Sequence, residues 1–401
     1  MPHSTICLAF SDTGGGHRSA SDAIESALRE LLAEVNPNKD ISIFSDNIIE
    51  KTHPVNRAFV DIYNFLLRHS QVSMRYYYWF LHVAKPNSSD FGYSLTGPYL
   101  RKMLSEVQPE LLVCVHPMLN HYLFRAKQDL GLKDTKLITV ITDPNDQLWR
   151  GWGCEGTDLI IAPNQIVHDK LLEWGIKPER IKVIGMPVNP DFLRPTLIDP
   201  SEFKRNLGLM PDRFTLCVNA GWAGGGNMLS IYRALDAVKR PIQVIFLCGH
   251  NKNLYQRILI ESEKSSIPTA VLPFHDRMAD LMPAVDMMVT KAGGLTTYEA
   301  VARRLFTAFD NITEPMPQEA RTIDILVDNG LAKRINRPSD IVDIIQSAPS
   351  QRLDYLNGKL PKAQNLDRTD AVFDIAKIVL EQLCPPLTVK PRVLTRPAEP
   401  E

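Results

Sequence analysis

The chain of 401 residues carries 45 Lys and Arg against 46 Asp and Glu, a formal net charge of −1. That balance argues against bulk nucleic-acid binding, which depends on basic side chains neutralising phosphates. Six scattered cysteines (Cys7, Cys114, Cys154, Cys217, Cys248 and Cys384) form no CxxC pair and have no His at ligand spacing, which points to a reduced compartment and no structural zinc.

An apolar share of 44% and a charged share of 23% are ordinary for a globular protein, and the length exceeds what one hydrophobic core organises, so two domains are expected. The opening residues Met1 to Thr5 lead straight into an apolar strand pattern without a basic stretch or cleavage site, so no signal peptide is expected. No apolar run reaches the ~18 residues needed to span a bilayer.

In chain order, short β-rich runs fall at Ile6–Phe10, Ile41–Phe44, Leu111–Val115, Leu137–Ile141, Leu159–Ala162 and Ile181–Ile184. Longer stretches between them have helical spacing. Ala20, Ile24, Ala27, Leu28, Leu31 and Val35 mark one buried helix face. Pro187, Pro190, Pro195 and Pro200 then form a stiff connector. A second series follows at Phe214–Val218, Val244–Cys248, Thr269–Leu272, Met287–Thr290 and Leu305–Phe309.

Strands alternating with helices predict an α/β fold with parallel sheets covered on both faces. The expected division is an N-terminal domain over 1–194 and a C-terminal domain over 195–366. A helix within 367–384 would return to the N-terminal domain, and a tail over 385–401 would be disordered. Two such units joined by a hinge would hold a ligand in the cleft between them.

The first strand runs into Ser11, Asp12, Thr13, Gly14, Gly15, Gly16, His17 and Arg18. Glycines allow a sharp turn and close approach of a ligand, and the helix start offers free N–H groups. The same pattern also fits a tight turn required by the fold. It is not GxGxxG, so no dinucleotide fingerprint is present. His17 stands in the first helical turn, where the dipole disfavours imidazolium. It fits either a general base for a hydroxyl or a hydrogen-bonding residue within the loop.

In the second series, Gly221, Gly224, Gly225 and Gly226 lie between a strand and a helix, where open amides would suit a diphosphate. Gly293, Gly294, Leu295 and Thr296 precede another helix, with Glu299 about one turn in. A carboxylate there repels phosphate but can accept both hydrogen bonds of a ribose diol; it can equally serve as a helix-stabilising acid.

Taken together, residues 11–18, Thr142 with Asp143 and Trp149, Val183 to Val188, and Thr290 to Thr296 with Glu299 resemble the diacylglycerol glycosyltransferases. These are the monogalactosyldiacylglycerol synthases and the processive diacylglycerol glucosyltransferases, relatives of the peptidoglycan N-acetylglucosaminyltransferase in glycosyltransferase family 28. The motifs keep the family's order from residue 11 to about 319.

The resemblance implies a GT-B fold, two Rossmann-like domains facing across a cleft, with acceptor contacts in the first and a UDP-sugar in the second. It implies inverting, metal-independent transfer of galactose or glucose from a UDP-hexose to diacylglycerol or a related membrane lipid. The enzyme would act peripherally on the cytoplasmic inner face of a membrane. His17 matches the histidine near the acceptor hydroxyl, in a loop with Gly14, Gly15 and Gly16. Asp143 belongs to the catalytic set. Gly221, Gly224 and Gly225 match the donor diphosphate loop, and Phe274 lies in the segment whose backbone reads uracil. Gly293, Gly294, Leu295 and Thr296 match the second phosphate loop, Glu299 the ribose ligand, and Gln318 with Glu319 the pair that addresses sugar hydroxyls.

Two departures stand out. Asp146 occupies the place of an aligned His, so it is either an alternative base or a turn cap. The usual Pro-Gly-Gln-Glu followed by Asn becomes Pro317, Gln318 and Glu319 followed by Thr322, so the glycine and the asparagine are lost. A UDP-sugar epimerase and a catalytically silent binding protein therefore stand as alternatives.

Residues 53–100 are rich in aromatics: Phe59, Tyr63, Phe65, Tyr76, Tyr77, Tyr78, Trp79, Phe80, Phe91, Tyr93 and Tyr99. Such side chains favour a water–lipid boundary, or else pack a core. Residues 1–199 hold 20 Lys and Arg against 23 Asp and Glu, so docking on anionic lipid would need local basic clusters.

Overall fold

A computed structural model describes residues 4–35, 41–69, 73, 88–347 and 370–383. The run Tyr76, Tyr77, Tyr78, Trp79 and Phe80, the tail beyond 383 and Cys384 lie outside the described residues. The chain divides into two compact units, one within 1–63, 76–190 and 368–401, the other within 64–75 and 191–367.

The first unit holds a six-stranded parallel sheet in the order β2-β1-β3-β4-β5-β6. Its strands are β1 (Ser4–Phe10), β2 (Ile41–Asn47), β3 (Leu111–Cys114), β4 (Lys136–Val140), β5 (Leu159–Ala162) and β6 (Ile181–Val183). Every residue of β1 is buried, as a central strand covered on both faces must be. Helix α1 (Gly16–Val35) buries Ala20, Ala23, Ile24, Ala27, Leu28 and Leu31, the i, i+3/i+4 face anticipated from the sequence. Each Ile or Leu so buried contributes about 1.5–3 kcal/mol. A C-terminal helix (Ala371–Glu381) belongs to this unit, packs against α1 and buries Val372, Ile375, Ala376 and Val379.

The second unit repeats the plan with β12-β11-β10-β7-β8-β9, again all parallel. These strands are β7 (Phe214–Asn219), β8 (Ile242–Leu247), β9 (Thr269–Leu272), β10 (Met287–Thr290), β11 (Thr307–Asp310) and β12 (Ala332–Ile335). Two differences from the sequence reading have local causes. Strand β11 starts at Thr307 rather than Leu305 because the preceding helix ends in a Schellman turn. Arg304 there has φ 50°, and Leu305 N–H bonds Ala300 O at 2.8 Å. Strand β12 escaped notice because Lys333 and Arg334 interrupt its apolar pattern; only Ala332 and Ile335 face the core of this edge strand.

The proline-rich connector is fastened to the second unit by Arg303, whose guanidinium donates to the carbonyls of Asp191 and Arg194 at 2.7 Å each. Cys7, Cys114, Cys154, Cys217 and Cys248 are all free and buried. No helix among the described residues is long and apolar enough to cross a membrane.

Candidate active site

In the first unit the chain runs from β1 out to β2 and then back to β3 on the other side of β1. Reversal of strand order opens a crevice at the C-terminal ends of β1 and β3. The loop after β1 lies there. Gly14 and Gly15 adopt φ 74° and 82°, a conformation side chains rarely take. The loop is pinned by polar contacts. Ser11 Oγ and Asp12 N–H both donate to Glu50 Oε1 at 2.7 Å, and Arg18 grips Asp12 through two bonds of 2.6 Å. Burial raises the Glu50 pKa against those donors, and its Oε2 is buried without a partner.

His17, half-buried, directs Nδ1 at Val115 O, 2.7 Å away. A carbonyl only accepts, so Nδ1 carries the proton and Nε2 keeps its lone pair. Burial lowers the His17 pKa, while the Asp143 charge and the Val115 carbonyl act in the opposite direction. Asp143 accepts from Trp152 Nε1–H at 2.6 Å, and its own pKa is raised by burial despite that bond. Asp146, half-buried, lies three residues further along the same loop.

The sequence reading missed His116, at the end of β3. Its Nδ1 accepts from Met118 N–H at 3.2 Å, so Nε2–H donates to Thr13 Oγ1 at 2.8 Å. Its ring meets that of His17 edge-on at 4.3 Å. Burial and the neighbouring His17 keep its pKa well below the ordinary value. A neutral His116 thus ties the glycine loop to β3 and walls the His17 ring. The signal available was a histidine ending the apolar run from Leu111 to Val115.

In the second unit the reversal falls between β7 and β10. The loop after β7 reaches it through glycines, of which Gly224 leaves no room for a side chain. A Cβ on Gly224 would come within 2.1 Å of Cys248 O, and φ there is 71°. The amides expected to be open are largely engaged: Gly221 N–H bonds Asn219 Oδ1 at 2.9 Å, Gly224 N–H bonds Gly221 O at 3.1 Å, and Gly225 N–H bonds Ala220 O at 3.0 Å. This loop supplies shape rather than a full set of donors. Beside it opens a depression of about 780 Å³ lined by Gly224 to Asn227, Arg233, Asn251 and Arg257.

Open donors occur instead at helix α2 (Gly294–Ala302). No side chain caps its start, and Gly293 is exposed, where an added Cβ would meet nothing within 4 Å. The first N–H to close the helix is that of Thr297, to Gly293 O at 3.1 Å. The amides of Gly294, Leu295 and Thr296 therefore project at a positive dipole end. One turn in, Glu299 is only 8% exposed and has no side-chain hydrogen bond among the described residues; burial pushes its pKa up to about 7.

Phe274 is 44% exposed and stacks on His250 at 4.5 Å, and His250 meets Trp222 edge-on at 5.0 Å. These three rings gather at the ends of β7, β8 and β9. Gln318 and Glu319 open the helix Pro317–Asp328; Glu319 accepts weakly from Met316 N–H at 3.4 Å, and burial raises its pKa while the Lys291 charge opposes.

Residues 17–188 match the monogalactosyldiacylglycerol (MGDG) synthase family, and residues 227–309 match the glycosyltransferase family 28 C-terminal domain. A probable monogalactosyldiacylglycerol synthase, chloroplastic, of Nicotiana tabacum is 31% identical over 387 residues, spanning 93% of this chain and 70% of that protein. Acinetobacter baumannii MurG superposes with a TM-score of 0.53 at 12% identity, covering 94% of this chain and 99% of MurG. The Methanocaldococcus jannaschii UDP-GlcNAc 2-epimerase, crystallised with UDP-GlcNAc and UDP, gives 0.55 at 11% identity, covering 94% and 99%. At such identities the structural likeness establishes the fold, two Rossmann-like domains of GT-B architecture.

Proposed function

Because this chain belongs to the monogalactosyldiacylglycerol synthase family, we propose that it transfers a hexose, galactose first among candidates, from a UDP-hexose to the free hydroxyl of diacylglycerol. The observation that carries this reading is the pairing of uncapped N–H groups at Gly294 to Thr296 with the buried Glu299 carboxylate, which has no side-chain hydrogen bond among the described residues. The first suits phosphate and the second a ribose diol, which together describe a nucleotide.

In the mechanism, His17 Nε2 takes the proton of the acceptor hydroxyl. The hydroxyl oxygen attacks the anomeric carbon opposite the nucleotide, and the bond from that carbon to the phosphate oxygen breaks with its electron pair leaving on UDP. The configuration inverts. Asp143 steadies the imidazolium, and the helix start at Gly294 offsets charge on the departing diphosphate.

Contact with a membrane surface has support in the helix Pro54–His69. Its Val55, Phe59, Ile62 and Phe65 share one face and are 39%, 39%, 48% and 58% exposed.

The test is to incubate the purified protein with diacylglycerol liposomes and UDP-galactose or UDP-glucose, then weigh the lipid product. A hexosyl-diacylglycerol of β configuration is expected. UDP release that ignores the lipid would favour an epimerase, and no UDP release from any donor would leave only a binding protein.

A further inference from the structure

Strands β1 and β2 are neighbours, with Phe10 opposite Asn47, so the residues that follow them meet at the carboxyl edge of the sheet. On the β2 side these are Asn47 and the short helix Ile48–Thr52, which carries Glu50 in its first turn. Glu50 Oε1 takes both the Ser11 hydroxyl and the Asp12 N–H, and Asn47 Nδ2 donates to Asp12 Oδ2 at 3.0 Å. The base of the glycine loop is thus held from the neighbouring strand.

The connection continues past the loop. With its main chain held by Glu50, Asp12 presents both carboxylate oxygens to Arg18, which also lies over the Phe10 ring at 4.8 Å. Arg18 is the residue after His17 in the first turn of α1. Glu50, Asp12 and Arg18 therefore form a chain of bonds from β2 to the helix start that carries the imidazole, while Val115 O fixes the ring itself. A buried carboxylate is a costly clamp, and Oε2 of Glu50 is buried without a partner. What it supplies is stiffness, since bonds to an ionised acceptor are roughly twice as strong as neutral ones. A general base needs that stiffness, because a displacement of about 1 Å costs on the order of 100-fold in rate. The carboxylate whose charge acts on His17 is Asp143; Glu50 acts through bonds.

We propose that Glu50 is a positioning residue for the transfer reaction: through Asp12 and Arg18 it holds the start of α1 so that His17 Nε2 meets the acceptor hydroxyl. This rests on reading His17 as the general base.

Steady-state rates of the full-length protein with UDP-galactose and diacylglycerol liposomes test this, with circular dichroism melting to show that each variant is folded. In Glu50→Ala, kcat is expected to fall about 10- to 100-fold, with KM for the nucleotide sugar unchanged and the acid limb of the kcat/KM profile unmoved, because the base is displaced but not retitrated. Glu50→Gln offers an amide oxygen to the same two donors and should recover most of the loss. Arg18→Met, at a side chain 46% exposed, breaks the chain at its far end and should lower kcat in the same way; it decides alone if Glu50→Ala does not fold. Wild-type kcat in folded Glu50→Ala or in Arg18→Met makes the clamp merely structural and overturns the inference. An acid limb that shifts in Glu50→Gln would make Glu50 an electrostatic partner of the base and overturns it too. His17→Ala is the control: full turnover there removes the base reading and the inference with it, whereas loss there beside unchanged kcat in the other variants removes the inference alone.

Discussion

The two units carry the same local device, a parallel strand, a glycine loop and a helix at a reversal of strand order, yet the loops work differently. In the first unit the loop is tied by side chains, Glu50, Arg18 and His116 among them, and the following helix presents His17. In the second unit the loop after β7 satisfies its own amides and passes over Lys291, while the free amides stand at a separate helix start after β10. A glycine run in sequence says that the backbone must bend or be approached. Which of these it does depends on what lies beneath it.

The largest effect that separates the loops is on chemistry. His17→Ala should reduce transfer by about 10²- to 10⁴-fold, the usual worth of a general base, with UDP affinity unchanged by calorimetry. Equal loss of UDP binding would erase the distinction between the units.

The glycines offer a structural contrast. Gly224→Ala forces a Cβ against Cys248 O at positive φ and should cost several kcal/mol, on the order of other substitutions that strain a special backbone position. Gly16→Ala meets nothing within 4 Å and sits in a helix, so it should stabilise by about 0.5–1 kcal/mol. Chemical denaturation of both variants measures the difference.

Glu299 makes the second unit respond to pH. Its folded pKa of about 7 exceeds the ordinary 4.5, so the folded state holds the proton longer than the unfolded one. Stability is therefore highest below about pH 4.5 for this group and declines by roughly 3 kcal/mol as pH rises through about 7. Glu299→Gln should flatten that slope in denaturation curves. Uridine affinity should move the other way, rising through about pH 7, since only the ionised carboxylate accepts both ribose hydroxyls.

The smallest shift is expected in the first unit. Asp143 raises the His17 pKa, so Asp143→Asn should displace the acid limb of the kcat/KM profile to lower pH. An unmoved limb would place the ionisation elsewhere.

Much of the fold was legible because parallel strands buried on both faces are written as continuous apolar runs, as in Ile6 to Phe10 or Met287 to Thr290. Candidate site residues stood out where a residue type is costly to place without a purpose: a histidine in a first helical turn, or a carboxylate beyond a glycine pair. Strand β12 was not, because an edge strand needs only Ala332 and Ile335 apolar.

The sequence by itself determined the alternation of strands and helices, the two glycine-loop openings and the positions of His17 and Glu299 just beyond glycines at helix starts, since these follow from short-range periodicity and backbone preference. Tertiary structure alone decided that His116 faces His17 from about a hundred residues away, that the Gly224 and Gly225 amides are spent within their own loop, and that Lys291 lies under Gly226. Such facts depend on which strand ends become neighbours, and no local pattern encodes the order in which parallel strands assemble.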